Sequence, residues 1–259
     1  MLDEKRQAVT SEIITKGLNP NVPMKDSGIA WLGQVPAHWE VKRLMHLTPK
    51  YRRIMYGIIL PGPHYEGGVP IVKGGDVKEH RLRLEKLNRT DPEIEASYER
   101  SRLKPEDLVF AIRGGVGDVE IVPKELEGAN LTQDAARVAP GKGISSEWLY
   151  FALKAEPVVS QLKAGILGAT VTGINIWDLK RVKLPVPPEM ERNQIASYLD
   201  EQVGKYERTQ SKAQVAIDRL LEHRSGLISS AVTGKIDVRD WEPPETEQEE
   251  FDPAEAVNG

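Results

Sequence analysis

One stretch restricts what this chain can become more than any other: from Glu189 to Gly234 there is no proline, after Pro187 and Pro188 close the segment before it. A helix over those roughly 45 residues would measure about 68 Å at 1.5 Å per residue. Counting alternating steps of four and three from Leu199 gives Leu199, Val203, Tyr206, Gln210, Ala213, Ile217, Leu220, Arg224, Leu227 and Ala231. Eight of these ten are apolar, which is the seam of a coiled coil. A stripe this narrow cannot be covered by its own helix, so it predicts a partner helix. Gly204 and Gly226 weaken the helix in isolation and add to that need. The other reading, an exposed helix docked on its own domain, uses the same residues. Gln210 and Arg224, polar at seam positions, would set register.

The remaining sequence separates by pattern. Residues 1–20 hold apolar positions at helical spacing (Leu2, Val9, Ile13), stop at Lys16-Gly17 and reach Asn19-Pro20, which predicts the end of a helix and a linker. Residues 21–188 change to short apolar runs broken by Gly and Pro, the pattern of strands and turns with one or two helices. Within them LVFAIRGGVGDVEIVP (108–123) predicts a hairpin about a Gly-rich turn. SSEWLYFALKAEPVVSQLKAG (145–165) predicts a helix capped by Ser145 or Ser146, divided near Pro157 and stopped by Gly165. Residues 189–235 are the long helix, and 236–259 are proline-rich, acidic and expected to be disordered. The fold class expected is α+β: one globular mixed-sheet domain followed by a long coiled-coil helix.

Charge divides along the same lines. The chain of 259 residues has a formal net charge of -4, yet residues 240–259 contain eight acids and no Lys or Arg. Without them 35 bases face 31 acids, so residues 1–239 carry a formal +4. Such a balance permits a polyanionic partner without demanding one. A mean hydropathy of -0.43, no apolar run approaching a membrane span, and a charged, amphipathic first twenty residues predict a cytoplasmic protein. With no cysteine, disulfides, thiolate metal sites and cysteine nucleophiles are excluded.

Enzyme motifs are incomplete. Gly114-Gly115-Val116-Gly117 lacks the Lys-Ser/Thr of a phosphate loop and runs into a predicted strand. Pro187-Pro188 lacks the flanking Asp or Asn and aromatic residue of an adenine methyltransferase site. Asp178-Leu179-Lys180 has nuclease-like spacing, but no earlier acid in a matching strand accompanies it. His38, His46, His64, His80 and His223 show no ligand spacing. The chain is therefore expected to be non-catalytic, with no metal and no cofactor of its own.

The chain also echoes itself. EKRQAVTSEIITKG (4–17) aligns with EHRSGLISSAVTGK (222–235): Glu4 with Glu222, Arg6 with Arg224, Val9 with Leu227, Ser11 with Ser229, Ile14 with Val232 and Thr15 with Thr233. On one reading the end of one structural element occurs twice, on either side of the globular segment, as in one period of a two-period design; on the other, two charged amphipathic helix ends are alike by chance.

MKDSGIAWLGQVPAHWEVKRL (24–44), NLTQDAARVAP (130–140), GATVTGINIWDLKRVKLPVPPEMERNQIASYLD (168–200) and the repeated helix end resemble the specificity subunits of type I restriction-modification enzymes. The resemblance covers residues 4–241, with two departures: Arg192 follows Glu191 where the family has Gln, and one recognition domain is present where members typically have two. It implies a DNA target-recognition domain over 21–188 and a spacer helix over 189–235, paired with the spacer of a second specificity half, from a homodimer or another chain. It also implies two modification subunits that methylate adenine, and restriction subunits. S-adenosylmethionine, ATP and Mg would serve those partners.

DNA contacts must then be chosen by chemistry. Val41 to Tyr65 holds Lys42, Arg43, Lys50, Arg52 and Arg53 with Tyr51 and Tyr56 interleaved and no acid, a phosphate-contact pattern, although a solvated charged strand reads the same way. Arg113 at the Gly-rich turn, Lys73 in Lys73-Gly74-Gly75-Asp76, and Thr170, Thr172 and Asn175 in a Gly-bounded loop are candidates for base contact; plain turn chemistry or helix capping is the alternative for each. Leu199, Val203, Tyr206, Gln210, Ile217, Leu220, Arg224 and Leu227 are the candidates for coiled-coil pairing. A different class, a coiled-coil interaction scaffold without specific DNA binding, accounts for the helix and the acidic tail equally.

Overall fold

The computed structural model describes residues 2–78, 82–164 and 173–237. The chain divides into two units, residues 1–206 and residues 207–259.

The first unit opens with α1 (Leu2–Lys16), then β1 (Met24–Asp26), β2 (Gln34–Pro36), β3 (Glu40–Arg43), β4 (Met55–Tyr56) and β5 (Val69–Val72). β6 (Asn88–Thr90), α2 (Pro92–Ala96), β7 (Leu108–Ala111), β8 (Val119–Ile121), β9 (Asn130–Leu131) and β10 (Ala135–Val138) follow. It continues through α3 (Ser146–Lys154), α4 (Glu156–Ala164), α5 (Ile176–Arg181) and β11 (Lys183–Val186) into α6 (Glu189–Val232). A mixed α+β architecture with a long C-terminal helix is what the sequence pattern predicts.

The central sheet has the order β4-β10-β7-β8, all antiparallel. Every residue of β7 and β10 is buried, so both faces of the sheet are covered at these two strands; β7 reads as a continuous apolar run instead of an alternating one, and β10 does so but for Arg137. Leu108, Phe110, Ala136 and Val138 face one core with Trp148, Leu149 and Ile195. Val109, Ala111 and Ala135 face a second core with Leu103, Leu126 and Leu131. A three-stranded sheet, β6-β5-β9, carries a parallel β5–β9 pair; β1–β2 and β3–β11 are antiparallel pairs.

The expected hairpin over 108–123 forms as β7 and β8. The expected helix breaks at Ala155 into α3, capped by the Ser145 hydroxyl accepting from Trp148 N–H at 3.2 Å, and α4, with Pro157 in its first turn. Gly165 lies outside the described residues.

Pattern sets the globular segment at 21–188; the compact unit is wider and also takes in α1 and α6 as far as Tyr206. Ile13 and Ile14 of α1 and Ile195, Ala196 and Leu199 of α6 are buried in the main core, with Val203 packed against it. Periodicity shows which face of a helix is apolar; it does not show which surface covers that face. Gln7 Nε2–H donates to Lys154 O at 2.6 Å and Ser11 Oγ accepts from Glu156 N–H at 2.9 Å, so α1 is tied to the α3–α4 junction.

In the second unit, α6 continues from Glu207 and ends at Val232. Gly234 takes φ 71°, and the Lys235 N–H donates to Ser230 O at 2.8 Å, a left-handed glycine stop.

Candidate DNA interface

Four loops meet at the turn of the β7–β8 hairpin. Gly114 and Gly117 take φ 73° and 96°, which lets the chain reverse tightly. Ile112 N–H and Arg113 N–H both donate to Asp134 O, at 2.9 and 3.1 Å, and Ile174 N–H donates to Ile112 O at 2.9 Å. The Lys73–Asp76 loop, closed by Lys73 N–H donating to Asp76 Oδ2 at 2.9 Å, presses Gly74 against the same turn. A Cβ at Gly74 would stand 1.8 Å from Arg113 O and 2.8 Å from Asp134 O. One at Gly173 would stand 2.9 Å from Arg113 Cγ.

Arg113 is thus the arginine whose backbone and aliphatic stem are held from three sides while its head remains open. Its side chain is 47% exposed and its Nη1 lies 3.8 Å from Asp134 Oδ1. A guanidinium that is fixed in place, hydrated and loosely paired can present its fork to a guanine edge or a phosphate. The structure therefore brings together Lys73, Arg113 and the residues preceding Asn175, three loops far apart in the sequence. Asn175 itself is a helix cap: its Oδ1 accepts from Trp177 N–H at 2.8 Å. Thr170 and Thr172 lie outside the described residues.

The basic segment 41–65 divides by role. Lys42 pairs with Glu40 and holds that carboxyl below the ordinary range. Arg43 is exposed at the end of β3. Arg52 turns inward to Asp107, with side chains only 17% and 5% exposed, so the cation expected to touch phosphate is committed to the interior. Burial pushes the Asp107 carboxyl up, against the pull of the Lys104 N–H and the Arg52 charge. Arg53 is exposed, its Nε–H donating to Lys50 O at 3.2 Å.

Several positions escape sequence reading. Arg137, in the fully buried β10, donates to Arg100 O and Arg102 O at 2.6 and 3.0 Å and to Arg53 O at 3.2 Å, and burial lowers its pKa to about 10. Nothing in the short run Ala135–Val138 signals that the arginine within it is buried against backbone carbonyls. Asp134, the partner of Arg113, was hidden by its distance along the chain. Trp177, Lys180, Arg181 and Lys183 were legible as a basic, aromatic run in IWDLKRVK (176–183).

The coiled-coil candidates divide too. Leu199 is buried and Val203 half-buried in the body, and Tyr206 is half-buried at the end of the first unit. In the second unit Gln210, Ile217, Leu220, Arg224 and Leu227 are exposed, Leu220 by 68%.

The family described as Type I restriction modification DNA specificity domain matches residues 39–216. The chain belongs to that family. The EcoBI type I restriction enzyme specificity subunit of Escherichia coli is 22% identical over 203 residues, 78% of this specificity chain and 43% of that protein. The MjaVIII specificity subunit of Methanocaldococcus jannaschii is 24% identical over 256 residues, 92% of this chain and 55% of that protein. The crystal structure of the HsdS subunit from Thermoanaerobacter tengcongensis shares the fold, with a TM-score of 0.55 at 20% identity over 91% of this chain and 51% of that one. The specificity chain spans about half the length of the curated relatives it matches.

The family departure at Arg192 has a structural account in this specificity chain. Glu191 accepts from Trp39 Nε1–H at 3.0 Å and contacts His38 Nε2 at 2.9 Å. Arg192, only 8% exposed, donates to Gly143 O at 2.7 Å and to Pro187 O. The pair fastens the start of α6 to the body. Among the described residues no helix is long and apolar enough to cross a membrane.

Proposed function

We propose that this chain supplies DNA sequence recognition to a type I restriction-modification complex, directing adenine methylation and restriction at a bipartite site without catalysing either. The observation that carries the reading is the convergence of the loops at Gly74, Asp134 and Gly173 on a half-exposed Arg113, inside the segment that matches the DNA specificity family. Base reading needs a forked donor held in register, and Arg113 meets that need. Modification subunits would carry S-adenosylmethionine, and restriction subunits ATP and Mg; this chain would bind none of them. The exposed apolar positions Ile217, Leu220 and Leu227 support pairing with the helix of a second specificity half, either another copy or a different chain, so that two recognition domains read the two parts of one site.

The test is Arg113→Ala in the complex with modification subunits. An exposed turn residue tolerates truncation, so the unfolding midpoint should hold while discrimination at one base pair falls by about 1–3 kcal/mol. A variant that methylates the same motif with the same selectivity would remove Arg113 from the reading.

A further inference from the structure

The loop that holds Arg113 runs through the Asn175 cap directly into α5, and α5 with β11 gathers a second group of cations. Lys180 Nζ lies 4.7 Å and the Arg181 guanidinium 5.7 Å from the ring centre of Trp177, a residue 55% exposed. Two residues on, Lys183 opens β11 directly opposite Arg43 of β3. Both are exposed, and like charges facing each other across a strand pair repel. The Arg53 charge reaches Lys180, whose ammonium is pushed down from its ordinary value first by burial and then by Arg53. Among the described residues, none of Arg43, Arg53, Lys180, Arg181 and Lys183 makes an ion pair with a carboxylate. The one acid on α5 is Asp178.

Repulsion between Lys183 and Arg43 and between Lys180 and Arg53, with Arg181 adding a further cation beside Trp177, would be relieved by an outside anion. We propose that Arg43, Arg53, Lys180, Arg181 and Lys183, around Trp177, form a phosphate-docking face for duplex DNA, separate from the Arg113 cluster and indifferent to sequence. This rests on the reading of the chain as a DNA recognition subunit and adds where the backbone is held. Arg and Lys on an exposed surface suit phosphates, which position a duplex without reading it. The short connection to Arg113 places the anchor beside the reading group.

The test uses the full chain and a short duplex of random sequence, titrated with salt. Each phosphate contact adds about 0.9 to the slope of log K against log salt. The triple variant Arg43→Gln, Arg181→Gln, Lys183→Gln should reduce the slope by about two to three with an unfolding midpoint no lower than the wild type's, since it also removes the repulsion between Arg43 and Lys183. Arg43→Lys with Arg181→Lys, which keeps the charge, should leave it intact. In the complex, the triple variant should methylate the wild-type motif more weakly. A slope equal to the wild type's, or a changed motif, would overturn the docking face. Were the wild-type chain to bind the duplex without salt dependence, or not at all, while the complex still methylates a motif set by this chain, the face would fall and the recognition reading would stand. Loss of that dependence on the chain would bring down both.

Discussion

Gly74 shows how much of the interface depends on single atoms. A methyl group there would overlap Arg113 O and crowd Asp134 O, both backbone, so neither can swing aside. Overpacking of this kind costs on the order of 2–3 kcal/mol, and Gly74→Ala should lower the unfolding midpoint by roughly 5–10 °C. The neighbouring Gly75, with nothing within 4 Å of the same position, should accept Ala with under about 0.5 kcal/mol of change. Calorimetry on the two variants separates close packing from a general intolerance of the loop. Buried Glu95 gives a pH signature. Arg102 grips it with hydrogen bonds of 2.7 and 2.6 Å and Asn130 Nδ2–H adds one at 2.8 Å; these, led by Arg102, hold its pKa below the ordinary glutamate value against the effect of burial. A carboxyl lowered on folding stabilises the protein above its unfolded pKa, and that contribution is lost as pH falls through the folded one. The wild type should therefore exceed Glu95→Gln in unfolding midpoint near about pH 7, and the gap should close on acidification below about pH 4. A gap that does not vary with pH would mean that Glu95 is not the ionised partner of Arg102. At this scale sequence reading names loops that the structure brings together at Arg113, but not which cations turn inward. Arg52 and Arg53 are adjacent, and which of them enters the interior depends on Asp107, 55 residues away.

Elements were easier to read, because their periods are local. The β7–β8 hairpin follows from apolar runs about glycines, and the α3–α4 break from Pro157. The heptad stripe is equally plain from Leu199 to Ala231. Where that stripe changes from body packing to exposure is not, since Leu199 and Val203 obey the same period as Ile217 and Leu220 yet meet a different surface. The echo between α1 and the end of α6 has the same character: Ile14 is fully buried and Val232 is 82% exposed, although the two are aligned in sequence. On the proposed pairing, α6 acts as a spacer. Seven extra residues inserted after Gln214 keep the seam in phase and add about 10 Å, the rise of roughly three base pairs. The unread gap of the methylated site should grow by that amount with both half-sites unchanged; mapping methylated adenines before and after checks it, and an unaltered gap would show that α6 does not set the spacing.

For the whole molecule, the proposed function is that of a chain that decides where chemistry happens and leaves the chemistry to others; the family match over residues 39–216 supports it. Its charge distribution suits that role. Residues 1–239 are basic by formal count while the acids concentrate at the end, so on the proposed function attraction to DNA would be moderate and base contacts would decide the site. The central claim is that this chain sets the sequence, and single-molecule methylome sequencing tests it most directly, with matching modification subunits expressed with and without this gene. The account predicts adenine methylation at a two-part motif that vanishes when the gene is removed and returns when it is restored. Methylation of the same motif in its absence would contradict it.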